Sequence, residues 1–268
     1  MNSKIKKTIK HNAFTLAEIL ITITLIGIVA ALTIAGFMKN YQKQVTVAKL
    51  KSAYGTLSRI IQRAEMEHGS IASWHSEMDI VKNPTPEYTQ SFLNDFANTY
   101  MIPYLQVANS GEKTLGEFGY KKGVLHPDGS VRFSNNDKVV GMQLTNGIFI
   151  YLNYGTHSPR DKSQGDYTRI TSIRFEVDID GPNHGANTFG KDVYTFLKRL
   201  TSDLLFAQIQ PEGAQYSTYF DETKTFTTGF RTREDLYDNC AKGNKAAAAC
   251  GALIMVDGWQ IKDDYPWF

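Results

Sequence analysis

The sequence predicts an α+β protein: a long N-terminal transmembrane helix continuing into a globular domain with a mainly antiparallel sheet and short helices. Three observations predict it. From Phe14 to Met38 the chain runs 25 residues with one charged side chain, Glu18. A helix rises about 1.5 Å per residue, so this stretch crosses a bilayer core of roughly 30 Å. Beyond it, apolar residues recur at helical spacing to about His68. Beyond that again, Asp128-Gly129 and Asn146-Gly147 interrupt β-favouring runs with the residue pairs that suit hairpin turns.

The first residues set the topology. Lys4, Lys6, Lys7 and Lys10 precede the apolar run, and no acid appears before Glu18. Such a leader holds the amino terminus in the cytoplasm and sends the rest outward. The whole chain has 268 residues, 29 Lys plus Arg and 27 Asp plus Glu. Without the four leader lysines the balance is 25 against 27, or −2. The basic excess therefore belongs to the leader, and no nucleic-acid partner is expected.

Glu18 is the unusual residue. A carboxylate inside a membrane span costs about 2.5–3.5 kcal/mol unless it reaches the interface or a partner. Helices packed side by side in lipid gain little from hydrophobicity, so a polar pair selects their register. In a lone helix Glu18 is expected to be unpaired. A plain signal anchor would let it snorkel to the headgroups.

A basic leader followed by Ala13-Phe14-Thr15-Leu16-Ala17-Glu18 and about 20 apolar residues resembles the N-terminal signal of type IV pilins and type II secretion pseudopilins. The resemblance implies a pilin-like fold and cleavage by a prepilin peptidase between Ala13 and Phe14. It also implies N-methylation of Phe14 and use of Glu18 as the assembly carboxylate, neutralised by a neighbour's amino terminus. The family usually has Gly where this chain has Ala13, and the next smallest side chain should preserve cleavage. The implied division is leader 1–13, membrane and assembly half 14–38, amphipathic half 39–68 and exported globular domain 69–268. The implied partners are the peptidase, other pilin or pseudopilin subunits, the inner-membrane assembly platform and membrane lipid. The implied location is the inner membrane, single-pass with the amino terminus in the cytoplasm, and then a pilus or pseudopilus. The role is structural, without turnover. The alternatives are a signal-anchored extracytoplasmic enzyme or binding module, which would keep residues 1–13, and a minor pilin for adhesion or DNA uptake.

The remaining elements follow in order. Val47, Leu50, Tyr54, Leu57, Ile60, Ile61 and Ala64 carry the helix onward to a cap at Gly69. Residues 70–83 read as a linking loop. Thr85-Pro86-Glu87 starts a helix bearing Tyr88, Phe92, Phe96 and Tyr100 and ending near Pro103. Val124–Phe133 and Val139–Leu152 are hairpins. Thr168–Asp180 alternates, with Ile173, Phe175, Val177 and Ile179 on one face and Arg174, Glu176, Asp178 and Asp180 on the other, which predicts a half-buried strand. Segment 192–206 fits helix or strand, and the family resemblance favours a strand first. Residues 211–229 read as loop. Thr232 caps a short helix, Lys245–Val256 forms another that stops at Gly258, and Trp259, Tyr265, Trp267 and Phe268 dock on the domain.

Two chemistries remain. Cys240 and Cys250 lie in the exported part, where disulfides persist, and a bridge between them would close a short loop. Between Asp178 and Asp192, the oxygen-bearing residues Asp178, Asp180, Asn183, Asn187 and Asp192 alternate with glycines. Hard oxygen ligands in a flexible loop suit Ca²⁺, and the loop is similar in kind to the calcium loop of major pseudopilins. The other reading is a turn whose carboxylates cap their own backbone. No nucleophile elbow, zinc-protease motif, phosphate loop or dinucleotide fingerprint is found, so no enzyme is expected.

Overall fold

The computed structural model describes residues 15–74, 83–157, 169–200, 208–220, 225–241 and 247–268. Ala13, Phe14 and the leader lie outside the described residues, as does most of the expected linking loop. The chain divides into two compact units, one ending at Gln42 and the other running Lys43–Phe268. Helix α1, Leu16–His68, contributes to both.

The first unit is helical and apolar. Its large side chains are exposed, Leu32 at 77% and Phe37 at 71%. The hydroxyls of Thr22, Thr24 and Thr33 donate to backbone carbonyls one turn back. A hydroxyl satisfied by its own helix is compatible with apolar surroundings. Among the described residues, α1 is the one helix long and apolar enough to cross a membrane.

The second unit is built on a six-stranded sheet in the order β1-β4-β5-β6-β7-β8. These strands are β1 (Val107–Thr114), β4 (Lys138–Leu144), β5 (Phe149–His157), β6 (Arg169–Asp178), β7 (Val193–Arg199) and β8 (Gln210–Pro211). Every pairing is antiparallel. The turn signals appear where expected. β2 (Val124–Leu125) and β3 (Val131–Phe133) flank Asp128-Gly129, and β4 and β5 flank Asn146-Gly147. The edges are blunt. β1 carries a register shift between Val107 and Asn109, and β8 is two residues long and ends in a proline that has no N–H to offer.

Helices cover one face of this sheet. Leu50, Ala53, Leu57, Ile60, Ile61 and Ala64 line the buried side of α1, and Leu93, Phe96 and Ala97 that of α2, Pro86–Tyr100. Tyr54 meets Phe196 with ring centroids 5.8 Å apart, and Phe96 meets Phe175 at 6.4 Å. α2 begins as expected, with the Thr85 hydroxyl accepting from the Tyr88 N–H.

The other face is also covered, which corrects the half-buried reading of β6. Glu176 and Asp178 are fully buried. Helix α3 (Leu115–Phe118) and the β2–β3 hairpin lie over them, with Phe118 4.8 Å from Phe149 and Phe133 5.6 Å from Tyr151. Alternation along one strand reports a polar face, but not whether distant chain covers it. Residues 211–229 also differ from expectation. β8 ends at Pro211, and β9 (Gln215–Phe220) pairs with β10 (Thr225–Phe230) as a separate antiparallel hairpin. The stretch is rich in Thr, Tyr and Phe, residues with high strand propensity, despite its polar composition. β7 makes the first part of 192–206 a strand.

The C-terminal segment packs as a clamp. Helices α4 (Arg233–Ala241) and α5 (Cys250–Val256) are joined by the Cys240–Cys250 disulfide, with the sulfurs 1.98 Å apart. α5 starts later than the sequence suggests, and residues 242–246 lie outside the described residues. Trp267 Nε1 donates to the Cys240 carbonyl at 3.0 Å, and the Tyr265 hydroxyl donates to the Gly190 carbonyl at 2.6 Å. Replacing both cysteines with alanine is expected to lower stability by about 3 kcal/mol on the loop-entropy argument. The measurement is the urea midpoint, and an unchanged midpoint would assign the clamp to packing alone.

Candidate functional site

Two places bring the candidate residues into defined geometry. The first is the start of α1. The Thr15 N–H and hydroxyl donate to one Glu18 carboxylate oxygen at 2.9 and 2.8 Å, and the Glu18 N–H donates to the Thr15 hydroxyl at 3.2 Å. This reciprocal pair is a capping box. It corrects the expectation that Glu18 is unpaired in a lone helix, because Thr15 is within reach one turn earlier. The sequence signal was present: Thr followed three residues later by Glu before an apolar run.

The second place is the loop from Asp178 to Asp192. The Asp178 carboxylate accepts from the N–H groups of Asp180 at 3.0 Å and Gly181 at 2.8 Å. Its other oxygen accepts from the Tyr120 hydroxyl at 2.8 Å. Asp192 accepts from three consecutive N–H groups, those of Ala186, Asn187 and Thr188. Asp180 is paired with Lys49 of α1. Asn183 lies against Gly119 at the end of α3, and Asn187 donates its amide to the Pro182 carbonyl at 3.3 Å. The three aspartates thus converge, while Asn183 serves α3 and the Asn187 amide closes the turn.

Two glycines make the loop possible. Gly185 has φ 68°, and a Cβ there would stand 2.2 Å from an Asp192 carboxylate oxygen. Gly190 has φ 80°, and a Cβ there would stand 2.8 Å from the Trp267 ring. Both positions are left-handed and tight, so only glycine fits. The loop is also stitched to the hairpin, with the Phe189 N–H donating to the Leu125 carbonyl at 3.0 Å.

Burial dominates the electrostatics. It raises the Glu176 carboxyl to about 7, with Arg132 the largest opposing influence. It raises Asp178 to about 7 as well, reinforced by Asp192, and pushes Asp192 upward. Among the described residues no group of three or more His, Cys, Asp or Glu side chains is arranged to hold a metal ion. Asp178 and Asp192 are engaged with backbone donors and Asp180 with Lys49, which is the geometry of the capped turn.

A family model described as a family of unknown function (DUF6613) matches residues 36–267. The chain belongs to this family. The match spans the globular unit and the last residues of the apolar stretch, so the loop, the disulfide and the clamp fall within the DUF6613 region. No curated protein matches the chain, and no solved structure does.

Three outcomes are expected of this DUF6613 unit. Asp192→Ala strands three amides and should cost about 2–4 kcal/mol, read by urea unfolding. Thermal unfolding in Ca²⁺ and in chelator should coincide, and a higher melting temperature in Ca²⁺ would instead assign a cation to the loop. The third concerns pH. Glu176 ionises near 4.5 in the unfolded chain and near 7 in the folded one. Between those values the folded state holds more protons, so stability falls as pH rises and levels off above 7. Glu176 alone contributes a loss on the order of 3 kcal/mol, Asp178 adds a comparable one because it too is raised to about 7, and Glu176→Gln should remove about half of the slope.

Proposed function

We propose that the chain is a structural subunit of a type IV pilus or type II secretion filament, assembled through α1 after removal of residues 1–13. The observation that carries this reading is the exposed apolar stretch of α1 up to Met38, whose one charged side chain, Glu18, sits in the first turn. The stretch preceding Thr15 has the residue order of a prepilin signal. A helix of this kind has no use for a carboxylate as a lipid-facing group, and a second subunit's amino terminus supplies the charge that offsets it. On this reading the chain is held in the inner membrane with its globular unit outside, and a prepilin peptidase, like subunits and an assembly platform are its partners. The Cys240–Cys250 disulfide is in keeping with an oxidising compartment.

The capping box gives Glu18 a second job, and the test separates the two. Mass spectrometry of the N-terminal peptide should find N-methylated Phe14. An intact leader in cells that express the cognate peptidase would overturn the proposal. Glu18→Ala should leave cleavage intact and block incorporation into filaments. Glu18→Gln keeps an acceptor for the Thr15 cap but has no charge. Incorporation blocked in both variants assigns the effect to charge pairing, whereas rescue by Gln would assign it to the cap.

A further inference from the structure

One row of opposed residues crosses the face of the sheet that lies under α3 and the β2–β3 hairpin. It runs Gly141 on β4, Tyr151 on β5, Glu176 on β6 and Thr195 on β7. Opposed side chains share a face, with Cβ atoms about 5 Å apart. Tyr151, Glu176 and Thr195 are fully buried. The Thr195 hydroxyl donates to Glu176 Oε2. Gly141 has no side chain to offer, and the Phe118 and Phe149 rings fill the space beside it. The row therefore leaves the Tyr151 hydroxyl and Glu176 Oε1 without a hydrogen-bond partner among the described residues.

The hairpin adds a third such atom. β3 carries Arg132, whose guanidinium lies over the ring of Phe189 at 4.6 Å and that of Phe133 at 5.4 Å. Phe133 in turn meets the Tyr151 ring. After burial itself, Arg132 is the largest influence on the Glu176 carboxyl, and it acts on the Tyr151 hydroxyl too. Yet among the described residues it makes no direct ion pair with Glu176. Its buried Nε has no hydrogen-bond partner among them either. Opposite charges that are close without touching are commonly joined through a bridging molecule.

The chemistry of the three atoms selects the bridge. Arg132 Nε donates, an ionised Glu176 oxygen accepts, and the Tyr151 hydroxyl does both. An anion would stand against Glu176 and a cation against Arg132. A neutral molecule that both donates and accepts meets all three. Water is the smallest of these, and a buried water typically makes about three hydrogen bonds to polar groups that would otherwise lack them.

We infer that one water molecule is bound between the β2–β3 hairpin and the sheet, accepting from Arg132 Nε, donating to Glu176 Oε1 and bonded to the Tyr151 hydroxyl. The site belongs to the globular unit alone and is independent of the filament reading. It makes the hairpin's docking a hydrated contact, in which the attraction between Arg132 and Glu176 is carried through the bound water.

The test is a crystal structure of the full-length chain in detergent, at a resolution that shows ordered water. Density within hydrogen-bond distance of all three atoms is expected. A direct hydrogen bond from Arg132 or Tyr151 to Glu176 Oε1, or no density between them, overturns the inference. Crystals soaked in rubidium bromide separate water from an ion: no anomalous peak is expected at the site, and a peak from either ion overturns the neutral bridge. In micelles, ¹⁷O relaxation dispersion counts the waters held inside the protein. The count should fall by one when Tyr151→Phe and Glu176→Leu are combined, and an unchanged count in the folded double variant overturns the site. The crystal measurement needs no variant, so a double variant that fails to fold leaves the inference open to refutation.

Discussion

The globular unit depends on one carboxylate more than on any other side chain. Asp192 gathers the amides of Ala186, Asn187 and Thr188. With those amides held, the Phe189 N–H reaches the hairpin and the Gly190 carbonyl reaches the tail. With them released, three backbone donors lose their shared acceptor, at about 2–4 kcal/mol together. Layers joined by such a loop stand or fall together. Asp178 repeats the device one strand earlier and brings Tyr120 with it.

Around that loop the interior accepts charges that an apolar core would exclude. Glu176 takes a hydrogen bond from Thr195, its direct neighbour on β7. Lys198, with its side chain 1% exposed, lies 3.6 Å from Glu65 of α1. Buried ionic groups of this kind add little net stability but make misregistered packings costly, because a slipped strand would leave a charge alone. The alternation of β6 is compatible with two registers of opposite face, and the charges select one of them.

Much of this was legible in the residues and some was not. The apolar run, the Thr85 cap, the two hairpin turns and the cysteine pair are local signals, and local chemistry alone decides them. The burial of Glu176 and Asp178 is not local. It depends on α3 and the β2–β3 hairpin returning over the sheet from positions some 50 residues earlier in the chain, and no pattern within β6 reports that. β1 carries no local strand signal, since Asn109, Ser110 and Gly111 favour turns, and its pairing with β4 overrides their preference. The β9–β10 hairpin differs from the loop reading because threonine is polar in composition but β-branched in conformational preference. In the loop, the convergence of Asp178, Asp180 and Asp192 was visible as spacing. Their partners Lys49, Tyr120 and the tail lie far away in sequence and were not.

The blunt ends of the sheet bear on how the folding chain avoids pairing with its own copies. Chains that meet at high concentration while still folding recruit one another through exposed strands into swapped or fibrillar forms. A two-residue strand closed by proline offers no template on one side, and a strand with a shifted register and a lysine near its end offers a poor one on the other. Growth by strand addition is therefore discouraged at both margins of the sheet.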